Sequence, residues 1–272
     1  MKVIENSFLE ERQRQIVELL KKKGRFTVKE LSRVFNISGA TIRSDLKVLA
    51  AQGKLIKTHG GAMCIQENGA EFPFNLRKSR RKRIKEQIGR EAVKLISEGE
   101  VIFIDASTTS SAMLPFLAEK QEITVITNSL EAAYKLALLP NLQVISLGGR
   151  VRRESLSFVD AQIDPLIPES IGKAFMGALG LSLDQGLTDV NPSEIAVKQS
   201  IARRSRAIIA LVDSTKWDKV SYGTFAATGR IHTIISDQNA PENMVYEMEK
   251  RGIKVIQVPT YLRTTDEPAG IN

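Results

Sequence analysis

Seven short apolar runs, at 101–104, 124–127, 142–147, 174–178, 207–212, 233–236 and 254–258, punctuate the second half of this chain, and four stretches long enough for helices lie among them, at 110–118, 130–139, 192–205 and 241–251. Runs that are apolar throughout, instead of alternating, are what strands buried on both faces look like. Their interleaving with helices predicts an α/β domain with a mainly parallel sheet. Asn191-Pro192-Ser193-Glu194 has a cap, a first-turn proline and a capping glutamate in the order a helix start needs. Small ligands of such sheets sit at the carboxyl ends of the strands, so the functional residues are sought there.

The first run ends in Asp105-Ala106-Ser107-Thr108-Thr109-Ser110-Ser111, hydroxyls leading into a helix start. Hydroxyls and free amides there donate to an anion and the helix dipole attracts it, so Ser107, Thr108 and Thr109 are candidate phosphate contacts; ordinary capping needs one such residue and leaves the others unexplained. Further ends offer Thr127-Asn128-Ser129, Gly148-Gly149, Asp189 and the segment from Asp213 to Trp217. Lys216 is suited to pair with a phosphate, Asp105 and Asp189 to accept sugar hydroxyls, and Glu194 with Lys198, one turn apart, to be either ligand contacts or a surface ion pair. Trp217 reads as packing, since one aromatic is weak evidence for a sugar platform.

Charge divides the chain. Residues 1–90 hold 21 Lys+Arg against 9 Asp+Glu, whereas residues 91–272 hold 18 against 22. The basic end suits a polyanion, although a charged run is by itself often only a solvated face. Cys64 is the single cysteine and His59 and His232 the only histidines, which argues against disulfides or a structural metal, and no cofactor is called for. No apolar run approaches the roughly 18 residues of a membrane span and no signal-peptide core opens the chain, so the expectation is a cytoplasmic protein without a membrane partner.

Within the basic end, Leu9, Ile16, Val17 and Leu20 recur at helical spacing up to Gly24. Thr27-Val28-Lys29-Glu30 reads as a capping box opening a short helix with Val28, Leu31 and Phe35 inward, and Asn36 tolerates the left-handed turn that stops it. Ser38 caps a third helix from Gly39 to about Gln52, with Ile42, Leu46 and Leu49 as its core stripe. Ala40, Thr41, Arg43, Ser44 and Lys47 stay on or beside the other face, small in front and cationic behind, as a helix entering the major groove requires. Gly53 closes that helix; 54–58 alternates like a strand before the turn at His59-Gly60-Gly61, a wing whose Lys54, Lys57 and His59 would meet phosphates. This is a winged helix-turn-helix.

Arg12, Ile16 and Leu20, then Ser38 through Leu46, then His59-Gly60-Gly61-Ala62 resemble the N-terminal signature of DeoR-family regulators. The resemblance implies a bacterial transcription factor, usually a repressor of sugar or nucleoside catabolism, acting on double-stranded operator DNA. Ser44 departs from it, standing where the family often has a second basic residue. Residues 75–260 resemble the family's effector domain, whose fold is Rossmann-like and related to ribose-5-phosphate isomerase. That implies a phosphorylated sugar or related metabolite bound through the Asp105 loop, Thr127-Asn128-Ser129, Gly148-Gly149 and the segment from Asp213 to Lys216. Ser107 again departs, where the family loop usually has glycine.

The resulting expectation is a winged helix-turn-helix at 1–62, a linker at 63–80, an α/β effector domain at 81–262 and a polar tail at 263–272. The basic run 78–83 is read as a solvated helix surface, with a second DNA contact as its rival. A homodimer or homotetramer would set two recognition helices on successive half-sites. The alternative class is a sugar-phosphate isomerase carrying a DNA-binding domain, with Asp105, Glu194, Lys198 and Lys216 as acid, base and electrophile.

Overall fold

The computed structural model describes residues 2–51, 54–58, 60–64, 72–160 and 170–260, and the chain divides into two compact units, Met1–Ala70 and Glu71–Asn272. The smaller unit runs α1 (Lys2–Lys23), β1 (Arg25–Thr27), α2 (Val28–Phe35), α3 (Gly39–Ala51), β2 (Leu55–Thr58) and β3 (Gly61–Cys64). Thr27 Oγ1 accepts the Glu30 amide at 3.1 Å while the Glu30 carboxylate accepts the Thr27 amide at 2.7 Å, so the capping box closes as expected. Asn36 stops α2 in the left-handed region (φ 51°, ψ 45°), and Ser38 Oγ accepts the Thr41 amide at 3.1 Å to open α3. Ile16, Leu20, Leu31, Ile42, Leu46 and Leu49 meet in one core, which orients α3 by its apolar stripe. The strands form an antiparallel sheet in the order β1-β3-β2. Neither β1 nor β3 stands out in the sequence, because strands of three and four residues carry too little periodicity.

The larger unit contains α4 (Phe74–Ser79), α5 (Lys82–Lys94), β4 (Val101–Ile104), β5 (Ile123–Thr127), α6 (Leu130–Leu136), β6 (Leu142–Ser146), β7 (Arg150–Arg152), β8 (Ser157–Val159) and β9 (Ile171–Gly177). It continues with β10 (Gly180–Ser182), β11 (Gly186–Asp189), α7 (Pro192–Arg204), β12 (Ser205–Leu211), β13 (Gly223–Ala226), β14 (Ile231–Asp237), α8 (Glu242–Lys250) and β15 (Lys254–Val258). The seven apolar runs become one parallel sheet, β15-β14-β12-β9-β4-β5-β6, with an apolar core on each face. From β4 the chain builds outward through β5 and β6, then returns to β9 on the other side, so the strand order reverses between β4 and β9. That reversal opens a crevice at the carboxyl ends.

Several expectations are corrected. The linker placed at 63–80 overlaps β3, and its last third is α4, whose Phe74 is buried in the larger unit; residues 65–71, like Gly53 and the tail at 263–272, lie outside the described residues. The helix expected at 110–118 is a 3-10 helix, Ser110–Glu119, with Pro115 inside it, where the missing N–H denies an α-helical bond. Two small antiparallel sheets, β10-β11-β13 and β7-β8, were not foreseen and flank the carboxyl edge.

The 3-10 helix lies tightly on α5. A Cβ at Gly89 would stand 2.5 Å from the backbone carbonyl of Ala112, which has no rotamer to yield with. Gly89→Ala is expected to destabilise the larger unit by about 2 kcal/mol, read as a lower denaturant midpoint at unchanged slope.

Candidate functional site

At the switch point Asp105 follows β4 and is fully buried. Its carboxylate accepts the Ser107 amide at 3.1 Å and the Gly177 amide at 3.0 Å, which ties the β4 loop to the end of β9, and it stands 3.0 Å from the ammonium of Lys198. Lys198, on α7, also donates to Asp189 at 2.7 Å and to the Gly177 carbonyl at 2.9 Å, with its Nζ 4.7 Å from the centroid of the Phe225 ring. Burial works against the Lys198 charge, but the carboxylates of Asp105, Asp189 and Glu194 outweigh it and hold the ammonium well above the ordinary lysine range. Burial likewise opposes ionisation of Asp189, and Lys198 overrides it, leaving that carboxyl below its usual value. A buried lysine between two carboxylates is a scaffold that locks β4, β9, β11 and α7 together.

Glu194 and Lys198 are therefore not a surface pair. Both are buried, and Glu194 instead accepts Ser157 Oγ at 2.6 Å, Arg152 at 3.1 Å and Ser155 Oγ, which fastens α7 to the β7-β8 hairpin. Thr127 Oγ1 donates to the Ile104 carbonyl at 2.7 Å, Asn128 Oδ1 accepts the Ala106 amide at 3.1 Å, and Ser129 caps α6. Ser107 Oγ accepts the Ser110 amide at 3.1 Å and caps the 3-10 helix. Gly148 and Gly149 turn the chain at φ 66° and 99°, and Thr109 is buried. Trp217 is buried and donates to Ser236 Oγ at 2.9 Å.

Beside this scaffold lies a group that sequence reasoning missed. Lys85, buried on α5, donates to Thr108 Oγ1 at 2.8 Å and to the backbone carbonyl of Arg77. Burial first, then the charges of Lys216, Arg77 and Arg80, against the opposing carboxylate of Asp213, push its ammonium down to about 8. Lys216 is lowered as well, by burial and by the same two arginines among other cations. Positive charge from Lys85, Lys216, Arg77 and Arg80 thus gathers at the carboxyl ends of β4 and β12, beside the Thr108 hydroxyl. Arg81, in the left-handed region at φ 53°, holds Asp237 at 3.0 Å and Ser214 at 3.0 Å and lies 3.6 Å from Asp213. The basic run is therefore mixed: Ser79, Arg80, Lys82 and Arg83 are exposed, as a solvated surface would be, while Arg81 is anchored to the strand ends at Asp213 and Asp237.

In the smaller unit Ala40, Arg43, Ser44 and Lys47 are exposed on α3, Thr41 is half-buried, Ser38 is exposed at its cap, and Lys54 and Lys57 are exposed on and beside β2. His59 lies outside the described residues. Asp45, on the inner side of α3, is buried and accepts Arg12 at 2.7 Å and Gln13 at 3.2 Å, so α1 sets the rotation of α3. A groove between α2 and the start of α3 is lined by Lys29, Arg33 and Arg43. Lys29 and Arg33 were not singled out in the sequence, where α2 showed only its inward stripe.

Lys198→Met leaves Asp105 and Asp189 buried without their cation. The expected loss is about 3–5 kcal/mol of unfolding free energy, measured by denaturant titration; a loss below about 1 kcal/mol would mean the triad is not a scaffold.

Two family models match the chain: the DeoR-like helix-turn-helix domain over residues 12–68 and the DeoR C terminal sensor domain over residues 80–238. The HTH-type transcriptional regulator YulB of Bacillus subtilis is 35% identical over 92% of this chain and 96% of its own length. The HTH-type transcriptional regulator GolR of Listeria innocua is 34% identical over 90% and 97%, and the glycerol-3-phosphate regulon repressor of Escherichia coli is 26% identical over 90% and 97%. Ribose 5-phosphate isomerase A of Neisseria gonorrhoeae, at a TM-score of 0.39 and 15% identity over 51% of this chain and 55% of that one, is a distant likeness from which nothing is carried over. With a helix-turn-helix unit, a sensor unit and relatives matched along nearly their whole length, the chain belongs to the DeoR family of transcriptional regulators.

Proposed function

We propose that this regulator represses a carbohydrate-catabolism operon, binding double-stranded operator DNA through α3 and the wing as a homodimer or homotetramer, and that a phosphorylated sugar at the carboxyl ends of the sheet weakens that binding. The observation that carries the ligand half is the placement of Lys85, buried and bonded to the Thr108 hydroxyl at 2.8 Å, where the charges of Lys216, Arg77 and Arg80 repel it. A phosphate dianion relieves that repulsion and takes hydrogen bonds from groups already in place. The Escherichia coli relative is by name the repressor of a glycerol-3-phosphate regulon, a ligand chemistry that fits such a site. Asp105, Asp189 and Lys198 are saturated by one another, which favours sensing over catalysis and leaves Asn128, Gly148 and Gly149 as candidate contacts for the sugar end.

Control of DNA affinity follows from what Lys85 touches. The same ammonium that bonds Thr108 in the ligand loop bonds the Arg77 carbonyl on α4, the first helix after the smaller unit. A phosphate that draws Lys85 toward itself removes that tie and shifts the population at the α4–α5 joint.

Purified protein titrated against its own upstream DNA, with and without a panel of sugar phosphates, tests the whole reading: release by one compound supports it, and absence of sequence-preferring binding at any salt concentration overturns it. On the DNA side, Arg43→Ala is expected to cost about 1–3 kcal/mol on the operator and little on random DNA. Replacing Lys29 and Arg33 together with alanine is expected to weaken both alike and to make the log–log salt dependence shallower by about 2.

The ligand half carries a pH signature. In the empty site Lys85 releases its proton at about 8, and a bound phosphate favours its charged form. Affinity for the sugar phosphate should therefore be greatest near pH 7, weaken below about pH 6 as the phosphate takes up its own second proton, and fall as pH rises through 8 and 9, where binding requires uptake of a proton by Lys85. Lys85→Met should weaken binding and flatten the profile, as calorimetry at a series of pH values would show.

A further inference from the structure

The amino ends of the seven strands form the face of the larger unit opposite the ligand crevice, and its charge is divided in two. At the β12, β14 and β15 end of the sheet stand Arg203, Arg206, Arg230 and Lys254, all exposed, with Arg204 half-buried among them. Lys250 and Arg251, at the end of α8, are offset by Glu247, Glu249 and nearby Asp184 and leave that balance positive. At the β4 and β5 end stand Glu98, Glu119 and Glu122, all exposed, with Lys120 half-buried and donating to the Ile96 carbonyl at 2.7 Å. Between the two halves Lys173 of β9 holds both oxygens of Glu100, at 2.6 and 2.8 Å, as a neutral middle. Arg203, Arg206, Arg230 and Lys254, like Glu98, Glu119 and Glu122, form no ion pair among the described residues. Glu119 is also the last residue of the 3-10 helix, where the helix carbonyls disfavour a carboxylate, so capping does not account for it.

A solvated face intersperses the two signs; this one separates them. A polyanion such as DNA would be attracted by one half and repelled by the other. A second copy of the chain, turned about a two-fold axis through the neutral middle, satisfies both, because it lays its acidic half on the basic half of the first and receives the converse in return. We propose that this amino-end face is a contact between two copies of the chain, with Arg206 and Lys254 of one protomer facing Glu119 and Glu122 of its partner. The inference rests on the homo-oligomer reading and gives it a surface. Arg81 is fixed at the opposite, carboxyl ends of the strands, so the ligand crevice and the α4–α5 joint stay clear of the contact. A single exposed ion pair contributes little, but the two-fold axis repeats every pair, and segregated charge sets which orientation of two copies is attractive.

Sedimentation velocity on the full-length protein tests the contact. Self-association of the unchanged chain should loosen as salt rises, since the charges are exposed. Arg206→Glu with Lys254→Glu makes the face acidic throughout, and Glu119→Arg with Glu122→Arg makes it basic throughout. Each double variant is expected to weaken self-association ten-fold or more, or to reduce a tetramer to a dimer, with an unchanged circular dichroism spectrum. Mixed one to one, the two should associate again, because each then meets the opposite sign on both sides of the axis. All four changes in one chain reverse the polarity of the face and should likewise restore association, which decides the matter should one double variant fail to fold. An oligomer that neither double variant loosens overturns the contact and leaves the homo-oligomer reading standing, whereas an unchanged chain that is monomeric at every concentration overturns both. Loss of DNA affinity by Arg206→Glu with Lys254→Glu at unaltered assembly would assign the basic half to DNA and also overturn the contact.

Discussion

Taking a lysine and two carboxylates out of water costs several kcal/mol per ion unless each finds its partners, and at the switch point of the large sheet Lys198 meets that requirement for three elements at once. Its ammonium touches Asp105 after β4, Asp189 at the end of β11 and the carbonyl that ends β9. Because Asp105 also accepts the amides of Ser107 and Gly177, the loop that presents Thr108 is fixed from beneath. The crevice of an open α/β sheet is a generic place for a ligand; here the buried triad makes it a rigid one, and the groups left over for chemistry are those the triad does not consume.

Those groups are cations, and their arrangement links the site to the chain that leads into it. Lys85 and Arg81 come from the joint between α4 and α5, yet they end among Thr108, Ser214, Asp213 and Asp237 at the strand ends. Arg81 adopts a left-handed backbone that a non-glycine residue enters at a cost, and its contacts with two buried aspartates offset that cost. A regulator needs an element with two accessible arrangements whose balance a ligand alters. A joint held by charges that a phosphate would compete for meets that need without a large rearrangement of the sheet.

The smaller unit solves a different problem, that of presenting a helix at a defined rotation. The apolar stripe of α3 sets which face is buried, but a stripe alone permits some roll about the helix axis. The Asp45 carboxylate, held by Arg12 and Gln13 of α1, removes that freedom. The exposed Arg43 then shares a groove with Lys29 and Arg33 of α2, and Lys47 is exposed one turn further along α3.

The sequence by itself determined what depends on near neighbours. The Thr27 capping box, the left-handed Asn36, the Ser38 cap, the stripe of α3 and the strands of the parallel sheet are all legible because propensity, capping and periodicity act within a few residues. The strand ends were legible as a place, since the sheet class dictates where ligands sit. Only the tertiary structure decided which of their residues remain available, because a charged side chain takes its role from partners far along the chain: Asp105 from Gly177 and Lys198, Glu194 from Ser155 and Ser157, Arg81 from Asp237. The same reason buried Glu194 and Lys198, apparent neighbours on a helix surface, among different hydrogen-bond partners, and gave Arg81, within a basic run that is otherwise largely exposed, two buried aspartates to hold. Spacing along a helix says which residues share a face; what that face meets is settled by the fold.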